Sequence, residues 1–282
     1  MTISRTASSN RATGTEARPP KYFRLLAHPH LPGYRQMAID EALYRSLEPD
    51  SLPVLRFYTW ERPTLSLGYF QDYERVVSEP FVVHNKIDVV RRITGGRAVL
   101  HDIEVTYAVV SLNTVFPSRT LQETYQLIAE ALHRGLQQWG ILETSLSFHA
   151  EPRSYRQLPQ CFVGVSRYEI HQNRRKIIGS AQKRSRDRFL QHGSILLDFN
   201  ATLQQGCVLQ PDPEIEGKIA PLNRQLGRQL DFSEVMRQFT KGFELTFEAG
   251  LEASELTAGE AVLAAELENK YRNEDWTRSG CR

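Results

Sequence analysis

"RRITGGRAVLHD", Arg91–Asp102, decides how the rest of the chain is read. Two glycines stand between a pair of arginines and a His-Asp dipeptide, directly after the mostly apolar Ile87–Val90. A phosphate-gripping loop needs Gly-x-x-x-x-Gly-Lys-Ser/Thr or Gly-x-Gly-x-x-Gly at the opening of a helix. Neither spacing is present, and "RAVLHDIEVTYAVVSL" continues as strand. Gly95 and Gly96 therefore read as a strand-to-strand turn, where missing Cβ atoms admit unusual dihedrals or let a ligand approach the backbone.

Upstream of this turn, "LPVLRFYTW" and "PTLSLGYF" are β-branched and aromatic runs separated by a Glu-Arg-Pro turn signal. Before them, "YRQMAIDEALYRSL" places Met37, Ala38, Leu43 and Leu47 on one helical face, with an acidic pair in the middle. Downstream, "LQETYQLIAEALHRGLQQWG" gathers Leu121, Tyr125, Ile128, Leu132 and Leu136 on one face, and Gly140 supplies a stop. Strands return in "SRYEIHQ", then, after a polar Asn-Arg-Arg turn, in "KIIGSAQKR" and "HGSILLDF". The last third reads as helices, "DFSEVMRQFTKGFELTF" opening on an Asp or Ser cap and "SELTAGEAVLAAELENKYRNEDW" following. The pattern predicts an α+β fold, a mainly antiparallel sheet with helices packed around it.

The boundaries follow from composition. Residues 1–21 are rich in Ser, Thr and Arg with one acid and no apolar stripe, which predicts a disordered tail. A transit peptide shares that composition but is normally amphipathic. Residues 22–250 form the expected main domain and 251–282 a C-terminal helical extension. No apolar run approaches the roughly 20 residues of a membrane-spanning helix. A formal charge of +2 does not suggest nucleic acid as a partner. Cys161, Cys207 and Cys281 are odd in number and widely spaced, which points away from disulfides and zinc and toward a reducing, cytoplasmic setting.

Several side chains stand out as chemical candidates. Lys176 lies on a strand alternating around Ile177, Ile178 and Gly179, and Gly179, Ser180 and Ala181 leave room for a ligand beside the backbone. Cys161 becomes a nucleophile only where positive charge lowers its pKa, and Lys176 or a histidine could supply that. His101 and His192 are either structural or part of a site. Arg174–Arg188 holds seven basic residues and one acid, Asp187, which reads first as a solvated face, second as a nucleic-acid docking surface and third as a surface that docks an acidic protein.

Together these stretches resemble the lipoate and biotin protein ligase superfamily. "RRITGGRAVLHDIEVTYAVV" is similar to its Arg-Arg-x-Thr/Ser-Gly-Gly-x-Ala-Val-x-His-Asp motif, and "RRKIIGSAQKRSRDRFLQHGSILLDF" to its Lys-x-x-Gly-Ser-Ala and His-Gly-Ser strands. "RFYTWERPTLSLGYFQ" resembles its early strand pair, so the likeness runs from about Tyr22 to Phe247. Ligases of the superfamily typically carry three glycines where this chain has Gly95-Gly96-Arg97. That change, a Cys161-Phe162 pair ahead of the lysine strand, and too little chain for the ligases' accessory domain resemble the cysteine-dependent octanoyltransferases.

The resemblance implies an acyltransferase that moves octanoyl from acyl carrier protein through a Cys161 thioester to the lysine of a lipoyl domain. Acceptors would be proteins such as glycine cleavage H protein or 2-oxoacid dehydrogenase E2 subunits. The basic run Arg174–Arg188 would dock the acidic surface of the carrier protein. Cys161 and Lys176 would be catalytic. Arg92, Gly95, Gly96, Arg97, His101, Gly179, Ser180, Ala181, His192 and Gly193 would bind substrate. No metal and no cofactor is implied beyond the donor's phosphopantetheine arm. Two alternatives are an ATP-dependent lipoate-protein ligase and an octanoyl amidotransferase between lipoyl domains.

Overall fold

The computed structural model describes residues 20–116, 120–142, 144–146 and 170–280. The expected tail up to residue 19, Cys161 and Cys281 lie outside the described residues.

The chain opens with β1 (Tyr22–Leu31), α1 (Gly33–Arg45), β2 (Val54–Trp60), β3 (Thr64–Leu67), α2 (Tyr73–Val76), α3 (Glu79–His84), β4 (Asp88–Arg91), β5 (Val99–His101) and β6 (Glu104–Leu112). It continues with α4 (Leu121–Gln137), β7 (Thr144–Leu146), β8 (Ile170–Gln172), β9 (Arg175–Arg184), β10 (Arg188–Leu196), α5 (Ala201–Gly206) and α6 (Leu222–Leu226). It ends with α7 (Phe232–Phe247), β11 (Gly250–Ala253), α8 (Ala258–Arg272) and α9 (Glu274–Ser279). Among the described residues, these strands build an eight-stranded sheet, β11-β1-β2-β6-β10-β9-β8-β7, and a three-stranded one, β4-β3-β5. In the large sheet only β1 runs parallel to its neighbours, β2 and β11.

Helices cover both faces of the large sheet. On one, Ile128, Leu132 and Leu136 of α4 and Phe239 and Phe243 of α7 pack on Phe57, Tyr107 and Ile195. On the other, Met37, Ala38 and Ala42 of α1 and Ala264 and Leu267 of α8 pack on Tyr58, Ala108 and Leu190. Every residue of β6 is buried, as a central strand between two helical layers requires. Local signals start the helices: Thr120 and Glu123 form a capping box on α4, Thr257 and Glu260 on α8, and Asp231 caps α7. Leu121 is 46% exposed, because the stripe of α4 that meets the core begins a turn later, at Thr124.

Three expectations change. Gly95-Gly96 does not join neighbouring strands: the connection from β4 to β5 passes over the end of β3, which lies between them. Lys176 does not sit in a simple alternation, since a register shift between Ile170 and His171 leaves both Ile177 and Ile178 in one core cluster. Where a purely helical extension is expected over 251–282, the chain first adds β11 beside β1, and only then turns into α8 against α1.

Candidate functional site

The register of three adjacent strands lays the floor of the site. His192 on β10 stands opposite Ala108 on β6 and Ala181 on β9, and two residues along Ser194 stands opposite Thr106 and Gly179. A two-residue period therefore turns His192, Ser194, Thr106, Gly179 and Ala181 to one face. The small sheet lies over that face with Ser66, Arg92, Val99 and His101, and α1 contributes Met37. Between these walls is a narrow cavity.

Arg92 organises the walls. It is 4% exposed, and its guanidinium donates to Thr94 Oγ1 (3.1 Å), Ser66 O (2.8 Å), Ser66 Oγ (3.1 Å), Gly95 O (2.8 Å) and Arg97 O (2.8 Å). Two similar chains leave from it. Thr94 Oγ1 lies 2.7 Å from His192 Nε2, and His192 Nδ1 lies 3.1 Å from Asp40 Oδ2. Ser66 Oγ lies 2.8 Å from His101 Nε2, and His101 Nδ1 lies 2.8 Å from Glu104 Oε1. Because each hydroxyl already accepts from Arg92, its own proton is left for the histidine Nε2. Each Nδ1–H then donates to a carboxylate, a tautomer assigned from the network.

Both carboxylates are anchored from behind. Arg56, fully buried, pairs with Asp40, donates to His28 Nδ1 at 3.1 Å and lies 4.1 Å over the Tyr58 ring, while Tyr58 Oη donates to Asp40 Oδ2 at 2.9 Å. Glu104 accepts from Trp60 Nε1 at 3.1 Å and from the hydroxyls of Thr106 and Ser194. Trp60 also stacks on His101 with ring centroids 4.1 Å apart.

The titration directions agree with this wiring. Burial lowers the His192 pKa, and Arg92 and His101 act in the same sense, so the ring is neutral at neutral pH. Burial alone would raise Asp40, but the Arg56 charge and the hydrogen bonds from His192 and Tyr58 win and hold its pKa low. Burial and then Arg56 bring His28 down to about 4. Burial pushes Cys207, also buried, up to about 12, which makes it an inert thiol.

Two glycine positions serve close packing here. Gly96 has φ +93°, and a methyl group on Gly68 would come within 2.0 Å of Gly96 O, so the Gly95-Gly96 turn rests directly on the turn after β3. A methyl group on Gly193 would meet Gly179 O at 2.4 Å and the Tyr107 ring at 2.7 Å, so β9 and β10 approach only because it is absent.

The structure thus brings together Arg92, His101, Gly179, Ser180, Ala181, His192 and Gly193 around one cavity, with Gly95, Gly96 and Arg97 in the loop that Arg92 holds. Lys176 is not among the lining residues. It is 1% exposed, three positions along β9 from Gly179, cross-strand from His171, and its carbonyl accepts from Ala220 N at 2.9 Å. Cys161 lies outside the described residues. Among the described residues β8 pairs with β9 only as far as Ile178. The bond from Ser185 N to Arg188 O sets the alternation of the β9–β10 ladder, which points the Ser180 and Gln182 N–H groups away from β10.

Asp40, Glu104, Trp60, Ser66, Thr94 and Met37 escaped the sequence reading. Asp40 had a signal, because it falls three residues after Met37 and three before Leu43, on the buried face of α1. The basic run Arg174–Arg188 is not one patch: Arg174 and Arg175 lie at one end of the ten-residue β9, and Lys183 and Arg186 at and beyond the other. Arg188 is taken by Asp187, and Arg184 donates to Thr124 Oγ1. Among the described residues, no group of three or more His, Cys, Asp or Glu is placed to hold a metal, and no helix is long and apolar enough to cross a membrane.

Residues 32–244 match the lipoyl protein ligase A/B catalytic domain. The octanoyltransferase LipM of Clostridioides difficile (strain 630) is 35% identical over 267 residues, 91% of this chain and 98% of its own length. That of Carboxydothermus hydrogenoformans is 38% identical over 266 residues, 90% and 97% of the two chains. A crystal structure of lipoate-protein ligase A bound with ATP matches with a TM-score of 0.78 at 25% identity, covering 93% of this chain and 100% of that one. A bipartite lipoate protein ligase of Thermoplasma acidophilum, described with its E2 lipoyl domain, gives 0.76 at 25% identity over 93% and 98%. The fold is that of the lipoate-protein ligases, the chain is an acyltransferase, and it belongs to the lipoyl protein ligase A/B catalytic domain family.

Proposed function

We propose that this protein moves an octanoyl group from the phosphopantetheine thioester of acyl carrier protein, through Cys161, to the lysine of a lipoyl domain. The observation that carries this reading is the cavity: a narrow space walled by Met37, Trp60, Val99 and Ala181, with its cation Arg92 turned inward onto five protein oxygens. Such walls suit a short acyl chain more than a phosphate. The octanoyltransferase relatives support the same acyl group.

In this mechanism Cys161 passes its proton to Lys176, its thiolate attacks the thioester carbonyl, the carbon–sulfur bond to the carrier breaks, and the carrier sulfur takes that proton and leaves as a thiol. The acceptor amine then attacks the acyl-cysteine. A carbon–nitrogen bond forms, the Cys161 carbon–sulfur bond breaks, and the amine proton passes to the returning thiolate. Lys176 assists by favouring the thiolate and by taking the amine proton on its way. The outward Ser180 N–H is the candidate donor to the tetrahedral oxyanion, a contribution of about 3 kcal/mol for a well-placed group. A thioester is already activated, so no ATP is consumed and no cofactor is needed beyond the donor's arm. Acceptors are lipoyl-domain proteins such as glycine cleavage H protein or 2-oxoacid dehydrogenase E2 subunits.

Incubation with octanoyl-acyl carrier protein should leave one octanoyl mass on Cys161, and Cys161→Ala should abolish both that adduct and transfer. Wild-type rates in the alanine variant would disprove the acyl-enzyme. Modification of a lipoyl domain from octanoate and ATP, without carrier, would instead identify a ligase, and octanoyl transfer from one lipoyl domain to another an amidotransferase.

A further inference from the structure

Phe70 is 88% exposed, although both residues beside it are fixed. It tips the turn Gly68–Gln71, in which Gln71 N donates to Gly68 O (3.0 Å) and Gly68 N donates to Gln71 Oε1 (2.9 Å). The buried Arg91 donates to the carbonyls of Gly68 (3.0 Å), Tyr69 (3.1 Å) and Gln71 (2.7 Å), and Tyr69 N donates to Thr94 O (2.9 Å). The Tyr69 ring meets Phe70 edge-on at 4.9 Å and packs against Trp276 at 6.0 Å. A single exposed apolar side chain is ordinary on a surface. One held out by a turn with so little freedom gives up little entropy on contact, which is what an anchoring aromatic needs.

The turn also reaches the cavity wall through one intervening contact. It rests on the Gly95-Gly96 turn, and a methyl group on Gly96 would lie 3.7 Å from Ala181 Cβ, in the cavity wall. Two residues beyond Ala181 on the same face, Lys183 holds its Nζ 5.7 Å over the Tyr69 ring. Arg186 is exposed in the following turn. The acids closest in sequence to this surface are paired, Asp72 with Arg75, Glu74 with Arg278, which it shares with Glu79, and Asp187 with Arg188, and Lys183 and Arg186 bring positive charge to its β9 side.

We infer that Phe70 and Lys183 form the docking rim for the body of the acceptor protein, a folded domain that offers its lysine beside an apolar contact and acidic side chains. This rests on the acyl-transfer reading, and reach favours the acceptor over the donor. A lysine side chain extends only about 6 Å from its Cα, so the acceptor's own surface must come to the rim for its amine to meet a buried acyl group. A phosphopantetheine arm is much longer and lets the carrier stand off.

Binding separates this inference from the chemistry. The full-length protein is titrated calorimetrically with an unmodified recombinant E2 lipoyl domain and, separately, with acyl carrier protein. Phe70→Ser and Lys183→Glu should each weaken the lipoyl domain by about tenfold or more while leaving the carrier within about twofold. In transfer assays Phe70→Ser should raise KM for the folded domain and leave a short lysine peptide acceptor unchanged. Wild-type affinity of Phe70→Ser for the domain overturns the inference. So do equal losses for domain and carrier, equal losses for domain and peptide, or a wild-type protein that binds no lipoyl domain. A protein that binds the domain through Phe70 yet forms no adduct on Cys161 would keep the docking rim and remove the proposed mechanism.

Discussion

Asp40 Oδ2 and His192 Nδ1 meet 3.1 Å apart across 152 positions of sequence, joining α1 to the floor of the cavity. The same carboxylate neutralises the fully buried Arg56. Asp40→Asn would leave that guanidinium without its counter-charge, and breaking a buried pair from one side costs about 3–5 kcal/mol. The urea midpoint should fall accordingly, with an unchanged m-value if only the native state is affected. A variant as stable as wild type would show that the network does not hold the fold.

Stability should decline on acidification. His28 and His192 have folded pKa values below the ordinary 6.5, so the unfolded chain binds more protons in between and stability rises with pH. The loss begins as pH falls through ~6.5, and for His28 it is complete near the folded value of about 4. Asp40, held below its usual range, adds a further loss at still lower pH. Urea midpoints at ~pH 7.5 and ~pH 5 should differ, and His28→Gln should flatten the slope. Equal midpoints would show that neither histidine is held neutral.

Cys207 should resist alkylation in the folded protein. Burial raises its pKa to about 12, and its Sγ lies 3.4 Å from Gln204 O, so thiolate is scarce and access poor. Peptide mapping after iodoacetamide treatment should find Cys207 labelled only once the chain is unfolded. Labelling of Cys207 in the native protein at the rate of a free thiol would contradict the buried placement.

Met37 lines the cavity from α1 and is 3% exposed. Met37→Ala should lengthen the acyl chain the protein accepts, shifting preference from octanoyl toward decanoyl donors, and should cost about 2–5 kcal/mol of stability. Competition between the two acyl donors, read by mass on the acceptor, measures the shift. An unchanged ratio would show that the chain does not run toward α1.

Much of this was legible in sequence, because period and punctuation are local. The stripes of α1 and α4, the cap of α7, the strands around Gly95-Gly96 and the polar turn before Lys176 all showed in sequence windows shorter than twenty residues. That turn holds Asn173 and Arg174 at φ 50° and 65°, left-handed backbone between two strands. What did not show depends on partners far away. β1, "YFRLLAHPHL", mixes charge, histidine and proline, and is a strand because Val54–Trp60 and Gly250–Ala253 come to lie on either side of it. The division into two sheets is likewise a matter of pairing, invisible to periodicity. In the site, side chains within a motif were found, whereas Asp40 and Glu104 looked like ordinary acids until the fold buried them beside histidines.

Arg91 reaches three carbonyls of the Gly68–Gln71 turn and, through the same guanidinium, those of Trp276, Thr277 and Arg278 at the end of α9. A ribosome makes residue 278 long after residue 68. The turn bearing Phe70 gains its final constraint only when α9 arrives. On the docking inference, the chain lacks the fixed turn that presents Phe70 to an acceptor until its own last turn of helix is in place.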